Sequence, residues 1–288
     1  MTGAIREMKK REETEKMGTP RVGRAAALLL GIFAASILLP VAALVLWVFT
    51  ERWAWPSLFP QVYSDRAIME ILGRRKELLG VIGSSMLISL AVAVLSTVIG
   101  LMTARALALY SFFGRKWCSF LTILPLMVPS TVFAMGIQVT FIRMGLNNTV
   151  WGVILAHLIY SLPYSAALLM DGVRGVGTSM EEQAIVLGAG PFRAFMLTTL
   201  PMLTPLLLSA ASISYVVSFS QYFLTLLLGG GRVKTFAVVM IPYLQSGNRN
   251  IACAYSLLFL AMTLLVFAVF SGIAGRVTKN MTGGYYES

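Results

Sequence analysis

The chain has 288 residues, of which 57% are hydrophobic and only 12% are charged, and its mean hydropathy is +0.79. Soluble domains carry about 25% charged residues, so this balance excludes an ordinary soluble protein and indicates a polytopic membrane protein. The net charge of +11 does not indicate nucleic-acid binding, because the basic residues flank the apolar runs as membrane anchors do.

Six apolar runs follow one another, and each is long enough for a bilayer crossing, which takes about 20 residues. They cover residues 25–49, 80–104, 117–142, 150–170, 201–228 and 251–273, and Pro125 and Pro129 are predicted to interrupt the third. The sequence therefore predicts a transmembrane domain over 25–275, a charged cytoplasmic arm at 1–24 and a cytoplasmic tail at 276–288.

The longest connection, residues 50–79, is predicted to lie on the outer surface. Pro56 and Pro60 exclude a continuous helix at its start, and its aromatic residues suit a membrane interface. Residues 63–79 carry apolar side chains near helical spacing and are predicted to form a short amphipathic helix. Residues 229–250 are interpreted as a short, glycine-rich and polar connection.

The basic side chains assign the two sides of the membrane. Six spans put both termini on one side, and with both termini in the cytoplasm 14 of the 23 Lys and Arg residues lie inside and 9 lie outside. Cytoplasmic loops carry the excess of Lys and Arg. The count predicts cytoplasmic termini and a cytoplasmic loop over 171–201. The exception to the rule is the group Arg74, Arg75 and Lys76, which this orientation places outside.

Residues 179–201 form the one long segment with polar markers between apolar runs in the second half of the chain. Ser179 and Glu182 have the spacing of a capping box. Gly188 lies where a left-handed residue ends a helix, and Pro191 suits the first turn of the next helix. The sequence predicts two short helices joined at Gly188, and such a segment in a cytoplasmic loop indicates a docking partner.

The same segment resembles the EAA signature of permease subunits of binding-protein-dependent ABC importers. That signature runs Glu-Ala-Ala, three residues, Gly, nine residues, a β-branched apolar residue, one residue and Leu-Pro. The matching positions are Glu182, Ala184, Gly188, Leu200 and Pro201, whereas Gln183 and Thr198 depart from it. The similarity extends over most of the chain, including 80–108, 124–136 and 218–223.

The resemblance implies an all-α, polytopic membrane protein with six transmembrane helices, that is, the type I ABC importer permease fold with a cytoplasmic coupling helix. Two permease subunits, expected to be non-identical, would form the pore in the bacterial inner membrane, and an extracytoplasmic binding protein would deliver the solute. Separate ATPase subunits would bind ATP and Mg²⁺, while this chain would bind no cofactor or metal and carry no catalytic residue. The expected ATPase-coupling residues are Glu181, Glu182, Ala184, Leu187, Gly188, Leu200 and Pro201, with Met180 completing an apolar face.

Two intramembrane polar features remain open to two interpretations. Ser218, Ser220, Gln221 and Tyr222 form a polar cluster in an otherwise apolar run, and such residues either join helices or line a solute pathway. The resemblance favours the pathway. His157 either contacts solute or protons, or is a neutral group hydrogen-bonded between helices, and the second interpretation is preferred because no carboxylate lies in any run.

The resemblance is strongest to the spermidine/putrescine branch, so a polyamine is the first solute expected, with thiamine, iron(III) and phosphonate-type solutes as alternatives. A stand-alone channel or secondary transporter would require charged residues within the spans, and the six runs contain none. An intramembrane enzyme would need paired nucleophile and base residues. Residues 229–235 lack the spacing of a phosphate-binding loop, and the two cysteines and one histidine do not indicate a disulfide framework or a metal site.

Overall fold

The computed structural model describes residues 24–283. The predicted arm at 1–24 and the end of the predicted tail lie almost entirely outside these residues. The chain divides into two units between Trp47 and Val48, and everything below except helix α1 concerns the second unit.

The all-α prediction is confirmed, apart from one short antiparallel pairing of β1 (Thr50–Arg52) with β2 (Val62–Tyr63) in the outer segment. The first helices are α1 (Arg24–Val48), α2 (Arg66–Gly73), α3 (Arg75–Leu109), α4 (Arg115–Met127) and α5 (Ser130–Arg143). They are followed by α6 (Val150–Val176), α7 (Ser179–Val186), α8 (Pro191–Ala194), α9 (Leu200–Phe219), α10 (Phe223–Gly229), α11 (Phe236–Gln245) and α12 (Arg249–Gly283). A π-helical turn, Phe195–Thr199, joins α8 to α9 without a break.

Within the described residues, five helical segments are long and apolar enough to cross a membrane, and a sixth crossing is possible through a bent pair. The pair is α4 and α5, and the chain direction bends by 113° between them. The predicted interruption of the span over 117–142 is confirmed at Pro129 and wrong at Pro125, which lies inside α4. The break lies at Val128 and Pro129, because proline has no backbone N–H and forces the residue before it into an extended conformation, here with ψ of 127°.

The predicted fifth span, 201–228, is wrong at both ends. The membrane helix already begins at Pro191, because α8, the π-helical turn and α9 are continuous. It ends at Phe219, and α10 follows after a break at residues 220–222. The sequence offered no proline or glycine at this break, and a run of apolar residues on both sides suggested one helix.

Two connections also contain more or less helix than predicted. The interpreted polar connection at 229–250 holds α11, whose Phe236 and Ala237 are buried. The amphipathic helix predicted over 63–79 is confirmed only for 66–73, because Arg74 interrupts it and α3 begins at Arg75.

The last helix extends to Gly283, well beyond the predicted end at 273.

The centre of the second unit is a packed group of three long helices, α3, α6 and α9. One buried serine from each helix meets the other two: the Ser165 Oγ lies 3.0 Å from Ser96 Oγ and 2.5 Å from Ser214 Oγ, and Ser214 Oγ lies 3.2 Å from Ser96 Oγ. Such small hydroxyl residues allow close helix approach and satisfy one another in a membrane interior. The sequence analysis did not identify this serine triangle, because its members are 49 to 118 residues apart.

Gly100 permits the close approach of α3 to α6 beside the serine triangle. A Cβ atom at Gly100 would lie 2.8 Å from the Cβ of Ser165, whereas a Cβ at Gly80, in the same helix, would meet no atom within 4 Å. We expect Gly100→Leu to lower the unfolding free energy by about 1–3 kcal/mol through overpacking, and Gly80→Leu to change it little. Thermal unfolding of the two purified variants in detergent measures this difference, and equal transition temperatures would contradict the packing argument.

Candidate coupling site and polar break

The predicted turn between two helices at Gly188 is present, but only α7 is a short helix, because α8 is the first turn of the long helix that continues through α9. Gly188 has a φ of +93° and ends α7 in the left-handed conformation that glycine adopts without strain. The Gly188 N–H donates to the Ile185 carbonyl at 2.9 Å, and the Ala189 N–H donates to the Ala184 carbonyl at 3.0 Å. These two bonds form a Schellman motif. Pro191 then occupies the first turn of α8, as its fixed φ favours.

The predicted capping box at the start of α7 is wrong. Thr178 is the N-cap residue and makes no side-chain capping bond, so Ser179 already lies within the helix. The Glu182 N–H donates instead to the Thr178 carbonyl at 2.9 Å. The two first-turn carboxylates, Glu181 and Glu182, still lie at the positive end of the helix dipole.

Large apolar side chains on the helix pair are exposed in the single chain. Val186 is 86% exposed, Leu187 is 87% exposed and Phe192 is 73% exposed. The predicted apolar face of Met180, Ala184 and Leu187 is therefore only part of the exposed apolar surface, which includes Ile185 as well. We call Ile185, Val186, Leu187 and Phe192 the apolar tip. The apolar tip is therefore a candidate interaction surface.

Glu181 does not belong to the apolar tip, since it points back toward the membrane helices. Its Oε1 accepts a bond of 2.7 Å from Arg105 Nη1, and its Oε2 accepts one of 3.0 Å from Arg105 Nη2. The Thr199 hydroxyl, which lies in the π-helical turn, also donates to Oε1. The Arg105 guanidinium carbon stacks 4.4 Å from the ring centre of Phe195.

This cluster keeps Glu181 ionised at neutral pH. Hydrogen bonding to Arg105 lowers the pKa of the Glu181 carboxyl below its ordinary value of 4.5, burial opposes that shift, and the Thr199 hydroxyl adds to it. A carboxyl with a lowered pKa contributes stability above pH 4.5 and loses it only as the pH falls through the lowered value. Sequence reasoning missed Arg105 and Thr199, because Arg105 enters it only through the count of basic residues on the cytoplasmic side.

The remaining predicted coupling residues lie in different surroundings. Glu182 and Gly188 are exposed, whereas Ala184, Leu200 and Pro201 are half-buried. Leu200 lines an apolar groove of about 730 Å³ between α3 and the segment from α8 to α9, together with Leu101, Met102, Phe192 and Met196. Leu200 therefore lies beside α3, and Phe192 of the apolar tip lines the same groove.

The predicted polar cluster at 218–222 is divided by the structure. Only Ser218 lies inside a helix, because α9 ends at Phe219 and residues 220–222 form the break before α10. Ser218 is buried and faces the protein interior, Ser220 is exposed, and Gln221 and Tyr222 are half-buried. Ser218 thus joins helices, and the other three polar side chains remain at the break.

His157 connects α6 to both helices on either side of this break. Its Nδ1 lies 3.0 Å from Ser218 Oγ in α9, and its Nε2 lies 3.0 Å from Thr225 Oγ1 in α10. The Thr225 hydroxyl donates to the Gln221 carbonyl at 2.8 Å, so its oxygen accepts from Nε2–H and the Ser218 hydroxyl donates to Nδ1. The preferred interpretation of a hydrogen-bonded histidine between helices is confirmed.

The family model described as "Binding-protein-dependent transport system inner membrane component" matches residues 96–283, from the second half of α3 to the end of α12. The chain belongs to this family. It is the permease subunit of an ABC importer, a multi-pass membrane protein in a family of non-enzymatic transport components. The predicted family and fold class are both confirmed.

This permease is similar in sequence to two curated permease proteins. It is 26% identical over 263 residues to PhnV of Salmonella typhimurium, a permease protein named for 2-aminoethylphosphonate transport, and the match covers 88% of this chain and 96% of that protein. It is 25% identical over 191 residues to PotC of Escherichia coli, named for spermidine/putrescine transport, with 66% and 72% covered.

Solved structures show the same fold. The permease superposes on a chain of a bacterial ABC transporter that imports the polysaccharide alginate, with a TM-score of 0.65, 16% identity, and 88% of this chain and 97% of that chain covered. It also matches a chain of the MetNI methionine transporter in an inward-facing conformation, with a TM-score of 0.57, 17% identity and coverage of 73% and 97%.

Proposed function

We propose that this permease forms half of a solute pore and is driven by a separate ATPase subunit that docks on the α7–α8 helix pair. The exposed apolar tip carries the proposal. Three of its side chains are more than 70% exposed, and the helices that bear them are joined by a turn at Gly188. Burial of such a tip in a groove of a partner stabilises the complex by the hydrophobic effect.

The orientation and the other partners follow from the same proposal. The excess of basic residues supports a cytoplasmic position for the helix pair and both termini, on the side where the ATPase would bind ATP and Mg²⁺. A second, non-identical permease completes the pore, and an extracytoplasmic binding protein delivers the solute. One structural relative supports the last point, because the alginate transporter has been crystallised with its solute-bound periplasmic protein.

We infer that the solute is a small amine-bearing compound, with an aminophosphonate as the first candidate and a polyamine as the second. The relative named for 2-aminoethylphosphonate matches a larger share of both chains than the relative named for spermidine and putrescine. The break after α9 offers hydroxyl and amide groups from Ser220, Gln221 and Tyr222, and none of these three is a carboxylate. A zwitterion carries its own opposite charge, whereas every charge of a polycation needs a negative partner from the protein. Uncharged polar groups therefore suit a zwitterion better.

Uptake into liposomes tests the proposal. The permease is reconstituted with the ATPase, second permease and binding protein encoded beside it, and uptake of labelled 2-aminoethylphosphonate and of spermidine is measured with and without ATP. We expect ATP-dependent accumulation of one of them and competition by its unlabelled form. Equal uptake when the ATPase is omitted would contradict the importer mechanism and support a channel or a secondary transporter.

A further inference from the structure

Polar contacts rather than buried apolar side chains attach α7 to the membrane helices. None of the residues of α7 is buried. The helix packs beside α8 and the π-helical turn, and its contact with α3 is made by the Glu181 carboxylate. The side chains of Arg105 and Glu181 are only 19% and 12% exposed. An ion pair therefore holds a helix that otherwise lies on the surface.

The geometry of this ion pair fixes the orientation of the Glu181 carboxylate relative to the Arg105 guanidinium as well as the distance between the two groups. Two parallel N–H to oxygen bonds join the guanidinium plane to the carboxylate plane, and this bidentate arrangement resists both rotation and sliding. The stacking of Phe195 on Arg105 holds the guanidinium from a further side. Apolar contacts of similar size have no such preferred direction.

The same carboxylate is bonded to two different membrane helices. Arg105 belongs to α3, whereas Thr199 is 1% exposed and belongs to the turn that continues directly into α9. The π-helical turn of 195–199 is a local departure from regular α-helix, and such turns often occur at functional sites. The Glu181 carboxylate thus connects α7 to both α3 and α9, two of the three central helices.

We propose that Arg105, Glu181 and Thr199 form a transmission joint, through which movement of the ATPase-docking helix pair is passed to α3 and α9. The inference rests on the proposed function, since it assigns the residues that carry ATP-driven motion from the docking helices into the pore. Arg105 and Glu181 are positioning residues that act through the helices they connect. Breaking the joint leaves the apolar tip intact, so the ATPase still docks and hydrolyses ATP.

The distance between spin labels on two exposed residues, one in α7 and one in α3, tests the transmission joint directly. Gln183→Cys in α7 and Met102→Cys in α3 are labelled in a chain with Cys118 and Cys253 replaced, and the distance distribution is recorded in the complex with and without MgATP. We expect one narrow distribution that MgATP leaves unchanged. Arg105→Gln or Glu181→Gln should broaden it, even before the ATPase is added. An equally narrow distribution in both variants would overturn the proposal.

Coupling is measured in liposomes as labelled solute taken up per ATP hydrolysed. We expect Arg105→Gln and Glu181→Gln to retain ATPase association but to lower this ratio roughly fivefold or more, at the low end of typical coupling energies. The swapped variant Arg105→Glu/Glu181→Arg should recover much of it. Asp171→Asn is the matched control, because its exposed pair with Arg174 spans 3.6 Å within one helix and should leave the ratio unchanged.

The outcomes separate the two proposals. An unchanged ratio in both single variants, or loss of ATPase binding that the swap does not restore, would overturn the transmission joint. A parent complex that never binds an ATPase would contradict the proposed function. The label distances in the permease alone would then still decide whether the ion pair fixes α7 to α3.

Discussion

A permease carrying Leu187→Glu should insert into the membrane normally and fail to retain its ATPase. Leu187 is 87% exposed at the end of α7, so the substitution costs nothing in internal packing. Docking would bury the new carboxylate in an apolar groove without a partner, which is strongly unfavourable. We expect a loss of roughly 2 kcal/mol or more, which is about 30-fold in the dissociation constant.

Co-purification of the ATPase with the tagged permease measures this effect, and fluorescence-detected size exclusion reports whether the permease itself is folded. Leu58→Glu is the matched control. Leu58 is 84% exposed in the outer segment, so the same change there should leave ATPase retention unaltered. If both variants retained the ATPase as the parent does, docking on the apolar tip would be wrong.

The second large effect is expected at His157. His157→Leu would leave the hydroxyls of Ser218 and Thr225 without their ring partner in a buried site, and we expect a loss of about 1–3 kcal/mol of stability. His157→Gln carries both a donor and an acceptor and should recover part of the loss. The ring joins α9 to α10 across the break. We therefore expect the leucine variant to lose most of its solute uptake even where enough folded protein remains to be purified.

Apparent melting temperature in detergent and solute uptake are the two measurements. Ser161→Ala is a suitable control, since Ser161 is buried in the same helix but donates to the Leu158 carbonyl within that helix. It should lower the melting temperature little. A leucine variant as stable and as active as the alanine control would show that the His157 bridge has no structural role.

Features encoded by local residue order were accessible from the sequence. The α7–α8 pair was predicted because Gly188 and Pro191 have strong positional preferences, and those preferences were satisfied. The family was recognised from the same short segment. Helix boundaries in apolar runs were less accessible, because hydropathy is uniform across the break at 220–222 and across the turn at 195–199.

Features that depend on distant residues could not be predicted. The ion pair of Arg105 with Glu181 joins positions 76 residues apart, and the serine triangle joins positions up to 118 residues apart. Nothing in local spacing distinguishes Glu181, which pairs internally, from Glu182, which stays exposed. Similarly, Ser218 and Ser220 look alike in the sequence, and only the end of α9 between them gives them different roles.

The bent pair of α4 and α5 is shorter than the bilayer it faces. The two helices have 13 and 14 residues, so each is about 20 Å long, and at a bend of 113° they span only roughly 22 Å end to end, against a hydrocarbon thickness of about 30 Å. None of the residues of α4 is buried within this chain. If the pair forms one crossing, its length falls short of the hydrocarbon layer, so a thinner bilayer or a protein surface beside α4 is required there.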